Sequence, residues 1–337
     1  MEFVKHKLFG FGEVISRDGK YLIVKFDDNS EKKFIIPQSF QLGVLTAEGD
    51  LKKEVDDAIK TEDVLAKKRE AKQMMIRAEI DRAKKAPKKA YQKENIAFKC
   101  NYCDGGASAL QVGYAGVCSK KTIEYNIVDA KRTWCSSEQC ECHRFLNGEL
   151  TYKDLCQIYE SNNFLCYESG MLINWKASAG TDVKNGKMDK RRKLKKIQNN
   201  SLCILTTVYP NDYEIERIIF GVFLIDESYE GDYEEEGYVT TFSKYKLKLT
   251  PKEAKQVLFW NYHKNSKDEE NARWSSGLYR YVNDITSAQI LRDIAKVKKN
   301  TSDETLANEF FEHYCKVNNI DIDTLPQNNG ARLLSLL

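Results

Sequence analysis

No apolar run in this 337-residue chain approaches the roughly 18 residues that a membrane-spanning helix needs, so a membrane is not among the expected partners. The opening residues Met1-Glu2-Phe3-Val4-Lys5-His6-Lys7 lack the continuous apolar stretch of a secretory signal, and a cytoplasmic location is expected. In that setting the ten cysteines read as thiols or metal ligands rather than as a disulfide framework. Histidine is scarce. The four are His6, His143, His263 and His313, and none is evidently paired with a cysteine as the base that a nucleophilic thiol requires. The chain has no P-loop, no HNH pattern, no Asp…Glu-x-Lys set that stands out from the general charge density, and no internal repeat. No reaction can be named from such a sequence.

A hydrophobic content of 42% supports buried cores, and 31% charged residues supports a solvated surface. The length suggests about two or three domains. Residues 1–48 read as short strands. His6 to Ile15 is followed by Asp18-Gly19, a hairpin signal; Tyr21 to Phe26 and Lys33 to Ile36 follow, closed by Pro37. Phe9, Val14, Val24 and Phe26 are the expected core. The phrase Phe9-Gly10-Phe11-Gly12-Glu13-Val14, with Val24-Lys25-Phe26-Asp27, resembles the Tudor/KOW group of SH3-like barrels. That resemblance implies a small closed barrel that binds nucleic acid or protein, RNA polymerase being one such protein partner.

Residues 49–95 carry Val55, Ile59, Val64, Leu65, Met74, Met75, Ile76 and Ile80 among many charges, which predicts a charged helical connector ending before Pro87. Residues 96–180 form a cysteine-rich segment. Cys100-Asn101-Tyr102-Cys103 is a CxxC pair, and Cys118, Cys135, Cys140, Cys142 and the adjacent His143 follow. A tetrahedral zinc site takes four such ligands, so a structural Zn²⁺ is expected, with an iron–sulfur cluster as the alternative. Cys100 and Cys103 can join two later cysteines, or Cys118, Cys135, Cys140 and Cys142 can form their own site. Gly105-Gly106 frees the chain to turn after the first pair. Cys156 and Cys203 sit among apolar neighbours and read as core thiols.

Residues 200–298 predict strands at Ser201–Val208, Arg217–Ile225, Tyr238–Phe242 and Tyr245–Leu249, with Gly221 marking a bulge or close approach. Thr250-Pro251 then opens a helix expected to carry Val257, Leu258, Phe259 and Trp260. This order is similar to the PUA-like superfamily (EVE, ASCH and YTH domains), which implies a small β-barrel that recognises RNA or modified DNA bases. Residues 299–337 are a C-terminal helical segment, with Thr301-Ser302-Asp303-Glu304 as its capping signal and Leu306, Phe310, Phe311 and Tyr314 as its apolar face. The expected fold class is thus α+β and multi-domain: SH3/Tudor-like barrel, helical connector, metal-binding module and PUA-like domain.

Two clusters point to nucleic acid. The net charge is only +3, but Lys190, Arg191, Arg192 and Lys193 begin a dense basic block that can neutralise phosphates; solvated loops also take this form. Trp260, Tyr262, Arg273, Trp274 and Arg280 combine flat rings with hydrogen-bonding groups, as a base lifted from its stack requires, although large aromatics also fill interiors. The expected function is nucleic-acid binding, to DNA or RNA, with reading of modified bases in phage defence or RNA handling as its particular form. A metal-dependent nuclease on the same substrate and a protein–protein adaptor working through the barrel are the alternatives.

Overall fold

The computed structural model describes residues 2–18, 21–36, 38–47, 51–53, 55–57, 59–60, 91–162, 164–184, 187–232, 235–275 and 277–335. Most of the expected helical connector, residues 61–90, lies outside the described residues. The side chains of residues 182–190, Lys190 among them, do so as well. The chain is mixed α and β, and it divides into two compact units.

The first unit comprises residues 1–90 and 150–165. Its strands are β1 (Phe3–His6), β2 (Gly10–Asp18), β3 (Tyr21–Phe26), β4 (Glu31–Ile35) and β5 (Leu45–Ala47), in the order β4-β3-β2-β1-β5. All pairings are antiparallel, giving a curled sheet, and a bulge between Val14 and Ser16 bends its longest strand. Alternation puts Val4, Leu22, Val24, Phe26 and Phe34 inside, with Phe40, Leu45, Leu51 and Val55 closing the core. Of the expected core residues, Val24 and Phe26 are buried and Val14 is partly so, but Phe9 is exposed and lies flat on His6, ring centroids 4.5 Å apart. Gly12 is required where it stands: a Cβ there would meet Val24 Cγ1 at 2.5 Å. The helix Tyr152–Asn162, far off in sequence, belongs to this unit and buries Leu155 and Ile158.

The second unit comprises residues 91–149 and 166–337. Its main sheet uses β6 (Asn95–Lys99), β10 (Leu202–Thr207), β11 (Ile218–Leu224), β14 (Lys246–Lys248) and β15 (Tyr279–Val282), in the order β14-β11-β10-β6-β15. Strands β6 and β10 run parallel, and the other pairings are antiparallel. Every residue of β10 and β11 is buried, as expected for strands covered on both faces. A second sheet joins β12 (Glu227–Tyr229), β13 (Tyr238–Thr240) and β7 (Lys176–Ser178), while β8 (Thr181–Lys184) and β9 (Lys187–Arg191) form a two-stranded ribbon. Strands β6 and β7 come from the cysteine-rich segment, so residues 96–180 and 200–298 share both larger sheets.

Local signals acted as expected at several points. Thr250 caps the helix Pro251–Ala254 through a capping box with Glu253. The bulge in the β10–β11 ladder falls beside Gly221, where a Cβ would approach Leu172 Cδ2 to 3.1 Å. That helix, however, stops at Ala254 and does not carry Val257 to Trp260. The backbone of Val257 and Phe259 is taken by β11 instead, through Ile219 N–H to Val257 O and Phe259 N–H to Arg217 O. The helix Glu304–Val317 buries Phe310 and Tyr314 as expected, but its N-cap Asp303 makes no side-chain capping bond. Among the described residues no helix is long and apolar enough to cross a membrane.

Candidate functional site

The cysteine cluster is built by a close crossing of two loops. A Cβ on Gly105 would lie 1.9 Å from Gly116 O, and one on Gly113 would lie 2.0 Å from Cys103 O, so only glycine lets these strands of chain touch. Ala115 N–H donates to Gly105 O, and the Asp104 carboxylate accepts from Ser119 N and Oγ at 2.8 and 2.6 Å. The crossing brings Cys103 Sγ to 3.0 Å from Cys118 Sγ. Ser119 then caps the short helix Lys120–Glu124, and Asn126 reaches back to donate to Tyr102 O at 2.8 Å.

A second pair forms at the start of the helix Glu141–Leu146, whose N-cap is Cys140. Cys140 and Cys142 act on each other there, which holds the Cys140 thiol below its ordinary value and pushes Cys142 up. Cys135 accepts from Asn101 Nδ2 at 3.8 Å, and the same amide donates to Glu168 Oε1 at 3.0 Å. Burial raises the Cys135, Cys166 and Glu168 groups, and Cys118 acts electrostatically on Cys135, Cys142 and Cys166. Cys166 is thus close enough to Cys118 and Cys140 to be raised by them.

The two thiols of the CxxC turn have different neighbours. Cys100 turns into the core, with Sγ 3.7 Å from Met171 Sδ, and adds to the rise that burial gives the Cys203 thiol, while Cys103 pairs with Cys118. Sulfurs sharing a tetrahedral zinc ion at about 2.3 Å stand about 3.8 Å apart, so the Cys103–Cys118 pair falls within reach of one ion. The donors are soft and correct for zinc or an iron–sulfur cluster, but they stand as two pairs. Among the described residues no three His, Cys, Asp or Glu side chains are already grouped as a coordination set.

The aromatic cluster lies in the interior. Trp260 and Trp274 are 0% and 1% exposed, pack edge to face at 6.5 Å, and spend their N–H groups on Glu214 Oε1 and Gly277 O. Tyr262 is buried and donates to Asp293 Oδ2 at 3.1 Å. In this conformation none of the three offers a ring face to a base. Arg273 is exposed and contributes its carbonyl to Arg280.

Around these rings, at the carboxyl ends of β6 and β10, stands a basic group that the sequence reading did not assemble. Lys99 is paired across the ladder with Thr206, and Arg280 with Ala97, so Lys99, Thr206 and Arg280 share one face of the sheet. Arg217 is buried and grips Glu214 through Nε and Nη2 at 2.6 and 2.8 Å, with Nη1 on Thr206 Oγ1. Lys99 Nζ and Arg280 Nη2 both reach Ser275, on its carbonyl and hydroxyl oxygens, each at 3.5 Å. Ser275 has φ of 62°, a strained value for serine. Burial first, then the Arg217 guanidinium, holds Lys99 below the usual lysine value, and Arg132 and Arg280 act in the same direction. His263 is held down to about 4 by burial and then by Arg280. The Nε atoms of Arg132 and Arg280 and Nε2 of His263 are buried without a hydrogen-bond partner among the described residues.

The basic block follows the ribbon. Its main chain is fixed by Gly237 N–H to Arg192 O, Leu194 N–H to Glu230 O, and Tyr279 Oη to Lys193 O. Arg191, Arg192 and Lys193 are half-buried and Lys195 is exposed, and the acidic segment holding Glu230, Glu235 and Glu236 passes alongside. No protein-family model matches the chain, and neither a curated protein nor a solved structure matches it.

Proposed function

We propose that the protein binds nucleic acid, DNA or RNA, through the β8–β9 ribbon and the basic run that leaves it. The observation that carries this reading is the ribbon itself. It is a two-stranded sheet of its own, with Lys184, Lys187, Lys190 and Arg191 in its strands and Arg192, Lys193, Lys195 and Lys196 directly after it. A two-stranded ribbon fits the roughly 12 Å major groove of a duplex, and clustered cations release the counterions of the phosphate backbone. The curled N-terminal sheet, read as a Tudor-like barrel, is a second contact surface. The two thiol pairs, with Cys135 and Cys166, are the set from which four donors would hold a structural zinc ion. Cysteine-rich modules take much of their folding energy from such a metal. The buried tryptophans lend no support to base reading, and that narrower form is not part of the proposal.

Fluorescence anisotropy on single-stranded, duplex and RNA oligonucleotides at low salt tests this. The wild type is expected to bind, and Arg191→Ala/Arg192→Ala/Lys193→Ala is expected to bind every sequence more weakly. Absence of binding to all three would move the weight to the adaptor reading, which one observation favours. The N-terminal sheet exposes Phe3, Phe11 and Leu8, the last at 84%, and exposed apolar groups of this kind mark protein contacts.

A further inference from the structure

We propose that Lys99, Arg132 and Arg280, on the floor made by the Arg217–Glu214 pair, form a second and separate site that binds a phosphate group. Arg217, Arg132 and Arg280 all act on Lys99, and Glu214, the carboxylate beside them, is already gripped in two places by Arg217. Among the described residues neither Lys99 nor Arg280 has a carboxylate partner of its own, and both reach Ser275 on the same side of the sheet, so a phosphate group suits the pair.

Cations without a carboxylate partner are costly to desolvate, and the chain keeps Lys99 and Arg280 on one face of the sheet. The Nε–H groups of Arg132 and Arg280 are donors buried without an acceptor among the described residues. Each would gain a charge-assisted bond from a phosphate oxygen. The loop that closes the site is strained at Ser275, and its main-chain oxygens at Arg273, Trp274 and Ser275 hold Arg280 and Lys99 in position. Backbone strain of this kind collects where side chains are held ready for a ligand.

This site does not depend on the nucleic-acid reading. The phosphate can belong to a small molecule or to the end of a polynucleotide, and the experiment separates the two. Isothermal titration of the full chain with inorganic phosphate, adenosine 5′-monophosphate and adenosine is expected to show saturable binding of the first two and none of adenosine. Lys99→Gln and Arg280→Gln should each weaken adenosine 5′-monophosphate binding by roughly tenfold, the loss of one charge-assisted contact. The Arg191→Ala/Arg192→Ala/Lys193→Ala protein should bind it unchanged. Comparing 5′-phosphorylated with 5′-hydroxyl oligonucleotides then identifies the source, a preference for the former pointing to a polynucleotide end. Circular dichroism checks that each variant is folded, and Arg132→Gln replaces one that is not. Failure of the wild type to bind phosphate and adenosine 5′-monophosphate overturns the proposal, as does undiminished binding in the folded variants. If oligonucleotides bind while phosphate does not, this site falls and the ribbon reading stands; the converse result leaves this site and removes the ribbon reading.

Discussion

His263 stacks on Phe259 at 5.1 Å with its Nε2 buried and unbonded, and Arg280 nearby opposes its protonation. Its folded value of about 4 lies below the ordinary 6.5, so the unfolded chain binds the proton more readily. The stabilising effect is present in full above about pH 6.5 and is lost as the pH falls toward 4, on the order of 3 kcal/mol in all. Urea midpoints measured from pH 7.5 to 4.5 should fall with acid, and His263→Phe should flatten that part of the curve. An unchanged slope in the variant would remove His263 as the cause. Trp260 gives a second expectation at this scale. Because it is interior, Trp260→Ala should lower stability by about 3–5 kcal/mol through lost packing. Chemical denaturation measures this. A near-neutral result would mean the ring is not the core residue its burial indicates. The sequence could not choose between these roles, since an indole suits a core and a base stack equally. What decided it was the pairing of Trp260 with Glu214 and the ring of Trp274, contacts made across distant parts of the chain.

Elements were legible where the signal was local. Strands β10, β11, β13 and β14 fall within the apolar, β-branched runs expected, and Thr250-Pro251 starts its helix. Pairing was not legible, because it depends on partners far off in sequence. Within the CxxC turn, Cys100 follows β6 into the core while Cys103 turns out to Cys118. The glycines explain the difference. Gly105 and Gly106 do not merely free the chain; they let it lie against Ala115 and Gly116. Gly105→Ala should therefore separate Cys103 from Cys118, since no backbone can yield to a contact of 1.9 Å without shifting. Protein purified without chelator should carry about one or two equivalents of zinc, and Gly105→Ala and Cys118→Ser should both lower that content and the solubility. Elemental analysis decides the point. A metal-free, folded wild type would exclude the centre, and a brown protein absorbing in the visible would assign iron–sulfur instead.

At the scale of the whole molecule, the two units do not follow the order of the chain. The helix Tyr152–Asn162 leaves the cysteine-rich segment to bury Leu155 and Ile158 in the N-terminal unit. The expected barrel comprises residues 1–48 alone. The helix could not be assigned to it from sequence, since an amphipathic face does not state what covers it. Leu155→Ala should accordingly destabilise the N-terminal unit by about 2–5 kcal/mol. Proteolysis should cut that unit first. Cleavage confined to residues 166–337 would contradict the assignment.

The proposed interface sets the basic ribbon against a phosphate backbone. The direct measurement is the affinity for a duplex oligonucleotide as a function of salt, for the wild type and for Arg191→Ala/Arg192→Ala/Lys193→Ala. Each phosphate neutralised contributes about 0.9 to the slope of log affinity against log salt, so the triple variant should show a slope shallower by nearly 3. Equal slopes, or no binding by the wild type at low salt, would contradict the ribbon as the nucleic-acid interface.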